Sequence, residues 1–100
     1  MKLKEIKQYW IKEINEILAQ AGDSIKETSI AKAYDASGER GMDLKLWLIG
    51  ESNNSDEKYY YYMYITKKHE VKKYNGSVYA NTQKDFEEDT KDYKYLGRIL

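Results

Sequence analysis

Apolar residues recur every three or four positions over the first twenty residues of the chain, with lysine, glutamate and glutamine between them. This period predicts an amphipathic helix over residues 2–21, and Gly22 is placed to end it. A coiled coil is disfavoured, because Glu13 occupies a position that a strict heptad keeps apolar. We expect the helix to pack on a sheet. Its apolar side consists of Leu3, Ile6, Trp10, Ile14, Ile17, Leu18 and Ala21.

The segment over residues 24–37 carries conflicting signals. Ser24 and Glu27 have the spacing of a helix capping box, which favours helix. Ile30 and Tyr34, however, share one face of a strand and belong to no helical stripe. We interpret the segment as a strand, with helix as the alternative. A turn with two glycines, "SGERG", follows it.

Residues 42–51 alternate strictly and predict a strand with two different faces. One face consists of Met42, Leu44, Leu46 and Leu48, and the other of Asp43, Lys45, Trp47 and Ile49. The leucine face is expected to be the core face. The polar loop "SNNS" at residues 52–55 then closes a hairpin onto a second strand, in which five tyrosines lie within residues 59–64.

A four-residue loop sets the register of this hairpin by placing Glu51 opposite Asp56. The resulting pairs are Leu48 with Tyr59, Leu46 with Tyr61, Leu44 with Met63 and Met42 with Ile65. This register points the most apolar side chains inward and turns Tyr60, Tyr62 and Tyr64 to the far face. A slip of one residue would exchange the two sets, so the apolar pattern disfavours such a slip.

The remaining sequence predicts a second hairpin, a short helix and a last strand. The hairpin turns at "KKHE" or at "NG" in residues 75–76 and leads into Val78 and Tyr79. Thr82 is placed as an N-cap, and acidic residues follow it, which predicts a helix over residues 82–92. The final residues, "YKYLGRIL", predict a short strand or a docked tail.

The length of 100 residues corresponds to one domain with one modest core. We expect a single α+β domain over residues 1–100, with the N-terminal amphipathic helix packed on an antiparallel sheet of about four strands and a second short helix near the C-terminus. The sequence has neither the apolar run of a secretory leader nor one long enough to span a bilayer. We therefore expect a cytoplasmic protein without membrane contact.

The formal net charge is zero, but the charges are segregated along the chain. Residues 58–74 hold five lysines and one glutamate, whereas residues 35–57 hold six acidic and two basic residues. Residues 82–92 add five acids against two lysines. Such segregation suits a charged partner. Lysine outnumbers arginine 15 to 2, and this skew is typical of an A+T-rich bacterial, phage or plasmid source.

The residue types needed for catalysis or metal binding are sparse. The chain has no cysteine, which excludes disulfides, thiolate metal sites and cysteine nucleophiles, and His69 is its single histidine. The acidic run over residues 85–92 lacks the alternating ligands and the glycine of a calcium loop. We expect no catalytic residues, no metal site and no cofactor, and therefore not an enzyme.

The outward-facing aromatic residues are the candidate binding surface. We predict an open face formed by Trp47, Tyr60, Tyr62 and Tyr64, beside Lys67, Lys68, Lys72 and Lys73. Tyrosine and tryptophan are favoured at binding hot spots, since they combine large contact area with few rotatable bonds. In the alternative interpretation, these residues only stabilise the sheet as cross-strand pairs, and the second helix covers them.

Three functions are compatible with these features. The leading hypothesis is a non-enzymatic protein-binding module that acts by occluding a partner protein, as an inhibitor, an immunity protein or a counter-defence protein of a phage or mobile element does. The first alternative is a single-stranded nucleic-acid-binding protein, with bases stacked on Trp47 and the tyrosines and with lysines along the phosphates. The second alternative is a structural or regulatory subunit that forms a homodimer.

Overall fold

The structure is a computed structural model of the chain, and it describes residues 2–37, 42–66 and 80–99 together with the backbone of residues 71–74. Within these residues, two helices and five strands form one α+β fold, which confirms the predicted class. The elements are α1 Leu3–Leu18, β1 Ile30–Asp35, β2 Leu44–Glu51, β3 Lys58–Ile65, β4 Val71–Tyr74, α2 Gln83–Thr90 and β5 Lys94–Ile99.

Helix α1 has the boundaries that its sequence predicts. It begins after Lys2, whose amide donates to the Glu5 carboxylate at 3.1 Å. A 3₁₀ turn over Ala19–Ala21 extends it, and Gly22 ends it with a φ of 71°. This left-handed conformation costs glycine little, because glycine has no Cβ.

The five described strands form one antiparallel sheet in the order β4-β3-β2-β1-β5. The strand that raises the number above the predicted four is β5, for which the sequence left strand and docked tail open. It pairs with β1, with a register shift between Ala33 and Tyr34. Within the ambiguous segment over residues 24–37, only Ile30–Asp35 forms a strand.

The predicted register of the β2–β3 hairpin is wrong by two residues. Leu46 lies opposite Met63 instead of Tyr61, and Leu44 lies opposite Ile65. A shift of two residues leaves every side chain on its original face, because strand side chains alternate with a period of two. The inward assignment of Tyr61, Met63 and Ile65 is therefore confirmed, and all three side chains are fully buried.

A longer loop causes the shift. The amide of Ser52 donates to the carbonyl of Glu57 at 3.1 Å, so the chain reverses over six residues instead of four. Inside the loop, the Ser52 hydroxyl accepts hydrogen bonds from the amides of Asn54 and Ser55, both at 3.1 Å. One serine side chain thus holds the loop in a shape that its polar composition alone does not predict.

The main core lies between α1 and one face of the sheet. Its buried residues are Ile6, Trp10, Ile11, Ile14, Leu18, Ile25, Ala31, Ala33, Leu46, Leu48, Tyr61, Met63 and Ile65. The predicted contact of the helix with the leucine face of β2 is confirmed. Ile17, however, is only half-buried, because the buried stripe advances in four-residue steps from Ile6 to Leu18 and passes beside it.

The second predicted hairpin is described only in part. Strands β3 and β4 pair antiparallel, with Met63 opposite Tyr74 and Tyr64 opposite Lys73. The predicted turns at residues 67–70 or 75–76, as well as Val78 and Tyr79, lie outside the described residues, as does most of the turn at 37–41.

Candidate functional site

The second face of the sheet carries its own aromatic cluster, and helix α2 covers it. Trp47 is 1% exposed and Tyr60 is 7% exposed. The Phe86 ring of α2 lies over them, with centroid distances of 5.3 Å to Trp47 and 5.7 Å to Tyr60. The prediction that these two residues form part of an open face is therefore wrong, and the alternative in which the second helix covers them describes both correctly.

The start of α2 follows from its sequence. The Thr82 hydroxyl accepts from the Asp85 amide at 3.1 Å, and the Thr82 amide donates to the Asp85 carboxylate at 2.8 Å. This reciprocal capping box confirms Thr82 as the predicted N-cap. Phe86 and Asp89 are three residues apart and therefore lie on the same side of the helix, the side that faces the sheet.

Asp89 fixes the helix to two buried side chains of β2. Its carboxylate accepts a hydrogen bond from the Lys45 ammonium at 2.8 Å and another from the Trp47 indole N–H at 2.8 Å. The Lys45 side chain is only 4% exposed, whereas that of Asp89 is 28% exposed. Because an unpaired buried charge is strongly destabilising, Asp89 is the partner that makes burial of Lys45 tolerable.

Aromatic rings enclose the same ammonium group. The Lys45 Nζ atom lies 4.3 Å from the centroid of Tyr62, 4.8 Å from that of Tyr64, 5.2 Å from that of Tyr93 and 5.7 Å from that of Trp47. These are cation–π distances, at which the ring faces attract the positive charge. We call this arrangement, Lys45 within Tyr62, Tyr64, Tyr93 and Trp47, the aromatic cage.

Two of the predicted binding residues remain partly accessible at the rim of the cage. Tyr62 and Tyr64 are half-buried. Their rings contact each other at a centroid distance of 5.9 Å, and Tyr62 contacts Trp47 at 5.1 Å. The structure thus divides the predicted face into a covered half, formed by Trp47 and Tyr60, and a rim that solvent reaches.

The lysine half of the predicted surface is not placed by the structure. Lys67 and Lys68 lie outside the described residues. Lys72 and Lys73 belong to β4, of which only the backbone is described. His69 also lies outside the described residues. The candidate site is therefore built from the aromatic residues and from Lys45 and Asp89 alone.

The roles of Lys45 and Asp89 do not emerge from the sequence pattern. Alternation along β2 places Lys45 on the outward face, where a lysine is ordinarily solvated, and Asp89 is one of five acids in a run typical of a solvent-exposed helix face. The sequence signal that could have identified Asp89 is its spacing from Phe86. Phe86 is the only strongly apolar residue between 82 and 92 and must mark the inner side of the helix, and Asp89 lies three residues further on.

A second polar cluster joins the end of α1 to the β2–β3 loop. The Asp23 carboxylate accepts hydrogen bonds from the hydroxyls of Tyr59 at 2.5 Å and Ser52 at 2.8 Å and from the Asn54 amide group at 3.0 Å. These donors, the Tyr59 hydroxyl first, lower the pKa of Asp23 to about 2 from an ordinary 3.8. The same contact raises the pKa of Tyr59. The cluster fixes the loop that sets the hairpin register.

We expect this cluster to make stability depend on pH in acid. Because the pKa of Asp23 is lower in the folded chain, its contribution is complete above about pH 4 and is lost as the pH falls towards 2. Urea unfolding between pH 2 and 7 should show Asp23→Asn less stable than the wild type at pH 7, with the difference shrinking below pH 4. A stability difference between the wild type and Asp23→Asn that stays constant with pH would contradict this role of Asp23. The control is Asp56→Asn, because Asp56 is exposed in the loop.

Among the residues described, no group of three or more histidine, cysteine, aspartate or glutamate side chains is arranged to hold a metal ion. No described helix is both long enough and apolar enough to cross a membrane. Comparisons with protein-family models, with curated proteins and with solved structures found no match for the chain.

Proposed function

We propose that this chain is a non-enzymatic protein-binding module that acts by occluding a partner protein, as an inhibitor, an immunity protein or a phage or mobile-element counter-defence protein does. The observation that carries the proposal is the pair Tyr62 and Tyr64, held over the buried Lys45 ammonium and open to solvent at the rim. Trp47 and Tyr60 form the layer that supports this pair.

The first supporting argument is pre-organisation. Immobilising a flexible side chain on binding costs about 0.5 to 1.5 kcal/mol. Tyr62 is already held by Trp47, by Tyr64 and by the Lys45 ammonium, so most of this cost is met in the free protein. Rigid, half-exposed tyrosines with a polar tip are the kind of residue that dominates protein interfaces.

The second argument is the charge beside the rim. Helix α2 has no buried residue, and its exposed side carries Asp85, Glu87 and Glu88. A carboxylate-rich helix next to aromatic anchors fits a basic surface on the partner, which it would orient during association. The partner surface we expect is therefore basic around an apolar patch.

The nucleic-acid alternative gains no comparable support. Its stacking platform used Trp47 and Tyr60 together with Tyr62, and α2 covers the first two. The acidic side of α2 next to the rim would also repel phosphates. Homodimer formation has no specific observation in its favour among the described residues.

The experiment is capture from a lysate of the native host on immobilised chain, with and without nuclease. We expect one discrete protein to be captured both with and without nuclease. The Tyr61→Phe variant, which is changed on the opposite face of the sheet, should capture the same protein. We expect Tyr62→Ser to lose it. Capture that disappears with nuclease would instead support the nucleic-acid alternative, and retention by Tyr62→Ser would remove the rim from the proposal.

A further inference from the structure

Strand β5 forms one edge of the sheet. It pairs with β1, and among the described residues no other segment pairs with it. In an antiparallel sheet, alternate residues of an edge strand direct their N–H and C=O groups away from the sheet. The backbone hydrogen bonds that the described loops and caps make include none to residues 94–99. The outer backbone groups of β5 can therefore pair with a further strand.

Two large apolar side chains of this strand face solvent. Tyr95 is 49% exposed and Leu96 is 48% exposed. The Tyr95 ring is held on one side by Tyr34, which lies opposite it in β1, with the centroids 5.4 Å apart. Leu96 has no partner residue in β1, because the register shifts there. A bulge of this kind re-aims a side chain, and here it leaves Leu96 accessible at the edge.

The charge at this edge is positive. Strand β5 contains Lys94 and Arg98, both exposed, and no acid. Asp35 lies opposite Lys94 and offsets its charge, but Arg98 lies opposite another cation, Lys32. Like charges directly opposite each other on neighbouring strands are destabilising. No ion pair among the described residues involves Lys32 or Arg98. A carboxylate brought to this edge from outside would relieve the repulsion between these two cations.

We propose that β5 binds an extended acidic segment of a partner protein, which adds to the described sheet as a sixth strand. The outer backbone groups of β5 would supply the main-chain hydrogen bonds of such strand addition. Carboxylates of the segment would meet Lys32 and Arg98, and Tyr95 and Leu96 would supply apolar contact. A second copy of the chain is disfavoured as the occupant, because two β5 strands would bring their own cations together.

This edge is distinct from the surface proposed for occlusion. The tyrosine rim lies on β3, and β2 and β1 separate β3 from β5. The charge preference also differs, since the acidic side of α2 beside the rim favours a basic partner surface, whereas the β5 edge favours an acidic one. The inference about β5 therefore does not depend on the proposed function of the rim.

The test is an NMR titration of the labelled full chain with synthetic peptides at constant ionic strength. The probe is acetyl-Thr-Glu-Val-Glu-Ile-Glu-Thr-amide, and the matched controls carry glutamine or lysine in place of the three glutamates. We expect the glutamate peptide to give saturable shifts confined to residues 30–35 and 94–99, with a Kd below about 1 mM. The glutamine peptide should bind at least about tenfold more weakly and the lysine peptide not at all. Absence of saturation with the glutamate peptide, equal binding of the three peptides, or dimerisation of the chain through β5 would overturn the proposal.

Hydrogen exchange separates strand addition from simple attraction between charges. The outward-pointing amides of β5 become hydrogen-bonded when a strand is added, so they should exchange at least about tenfold more slowly with the glutamate peptide bound. Chemical shifts that saturate without slower exchange at any of residues 94–99 would overturn strand addition.

Charge reversal makes the assignment specific to the β5 edge. Arg98 is exposed, so Arg98→Glu should leave the fold intact. This variant should bind the glutamate peptide at least about tenfold more weakly and should bind the lysine peptide saturably. The matched control is Lys12→Glu at an exposed lysine on α1, which should keep the affinity for the glutamate peptide within about twofold. Equal losses in the two variants would show an effect of net charge alone and would overturn the site.

Discussion

Replacing Asp89 with alanine is expected to lower the free energy of unfolding by about 2 to 3 kcal/mol. Removing one member of a buried ion pair costs about 3 to 5 kcal/mol, because the other charge stays buried without a partner. The lower value applies to Asp89 because this residue is partly exposed and because the aromatic cage still surrounds the Lys45 ammonium. The Trp47 indole N–H loses its acceptor in the same variant.

The control for this prediction is Glu88→Ala on the same helix. Glu88 is exposed, and its only ion pair among the described residues is an i,i+4 contact with Lys84 at 4.0 Å, so the cost should stay within about 0.5 kcal/mol. Urea unfolding of both variants gives the comparison. Equal costs would mean that Asp89 does not fix α2 to the sheet. In the double variant Lys45→Met, Asp89→Ala, the loss should be smaller than the sum of the losses of Lys45→Met and Asp89→Ala, since no charge is left behind.

The second large effect is expected at Tyr61, which is fully buried in the main core. Tyr61→Ser should cost about 3 to 5 kcal/mol, because it removes an aromatic ring from a packed interior and leaves a cavity. Tyr61→Phe should behave in the opposite way. The Tyr61 hydroxyl has no hydrogen-bond partner among the described residues, so its removal relieves an unsatisfied polar group and should leave stability unchanged or raise it by about 1 kcal/mol.

Denaturant unfolding of the two Tyr61 variants also tests the strand orientation. A tolerated Tyr61→Ser would place Tyr61 on the outer face and invert β3. A loss above about 1 kcal/mol in Tyr61→Phe would show that the hydroxyl is hydrogen-bonded in solution. The measurements thus separate the role of the ring from that of its hydroxyl group.

The elements that the sequence predicts well are those with a strong period. The α1 stripe and its Gly22 terminus follow from local chemistry, and so does the face assignment of β2 and β3. The register does not follow, because it depends on the hydrogen bonds of Ser52 inside its loop and on Asp23, which lies 29 residues earlier in the chain. Such contacts are tertiary and leave no periodic trace in the sequence.

The aromatic site shows the same division between local and tertiary information. Alternation places Trp47, Tyr60, Tyr62 and Tyr64 on one face, and the structure agrees. Whether that face is open depends on where α2 lies, which is decided by Phe86 and Asp89. One apolar residue in an otherwise acidic helix is a weak sequence signal. The covered and accessible halves of the face could therefore be separated only in three dimensions.

The most direct test of the protein-binding proposal compares two tyrosines by their affinity for the captured partner. Tyr62→Ser removes a rim anchor, whereas Tyr9→Ser removes a 45% exposed tyrosine on α1, on the other side of the sheet. Calorimetry should show Tyr62→Ser weakening binding by about 2 kcal/mol, or about 30-fold, while Tyr9→Ser stays within about twofold. Tyr62→Ser also removes a wall of the cage and should cost about 1 to 2 kcal/mol of stability, so circular dichroism must first confirm that it is folded. Equal affinities of wild type and folded Tyr62→Ser, or a larger loss at Tyr9, would contradict the proposed surface.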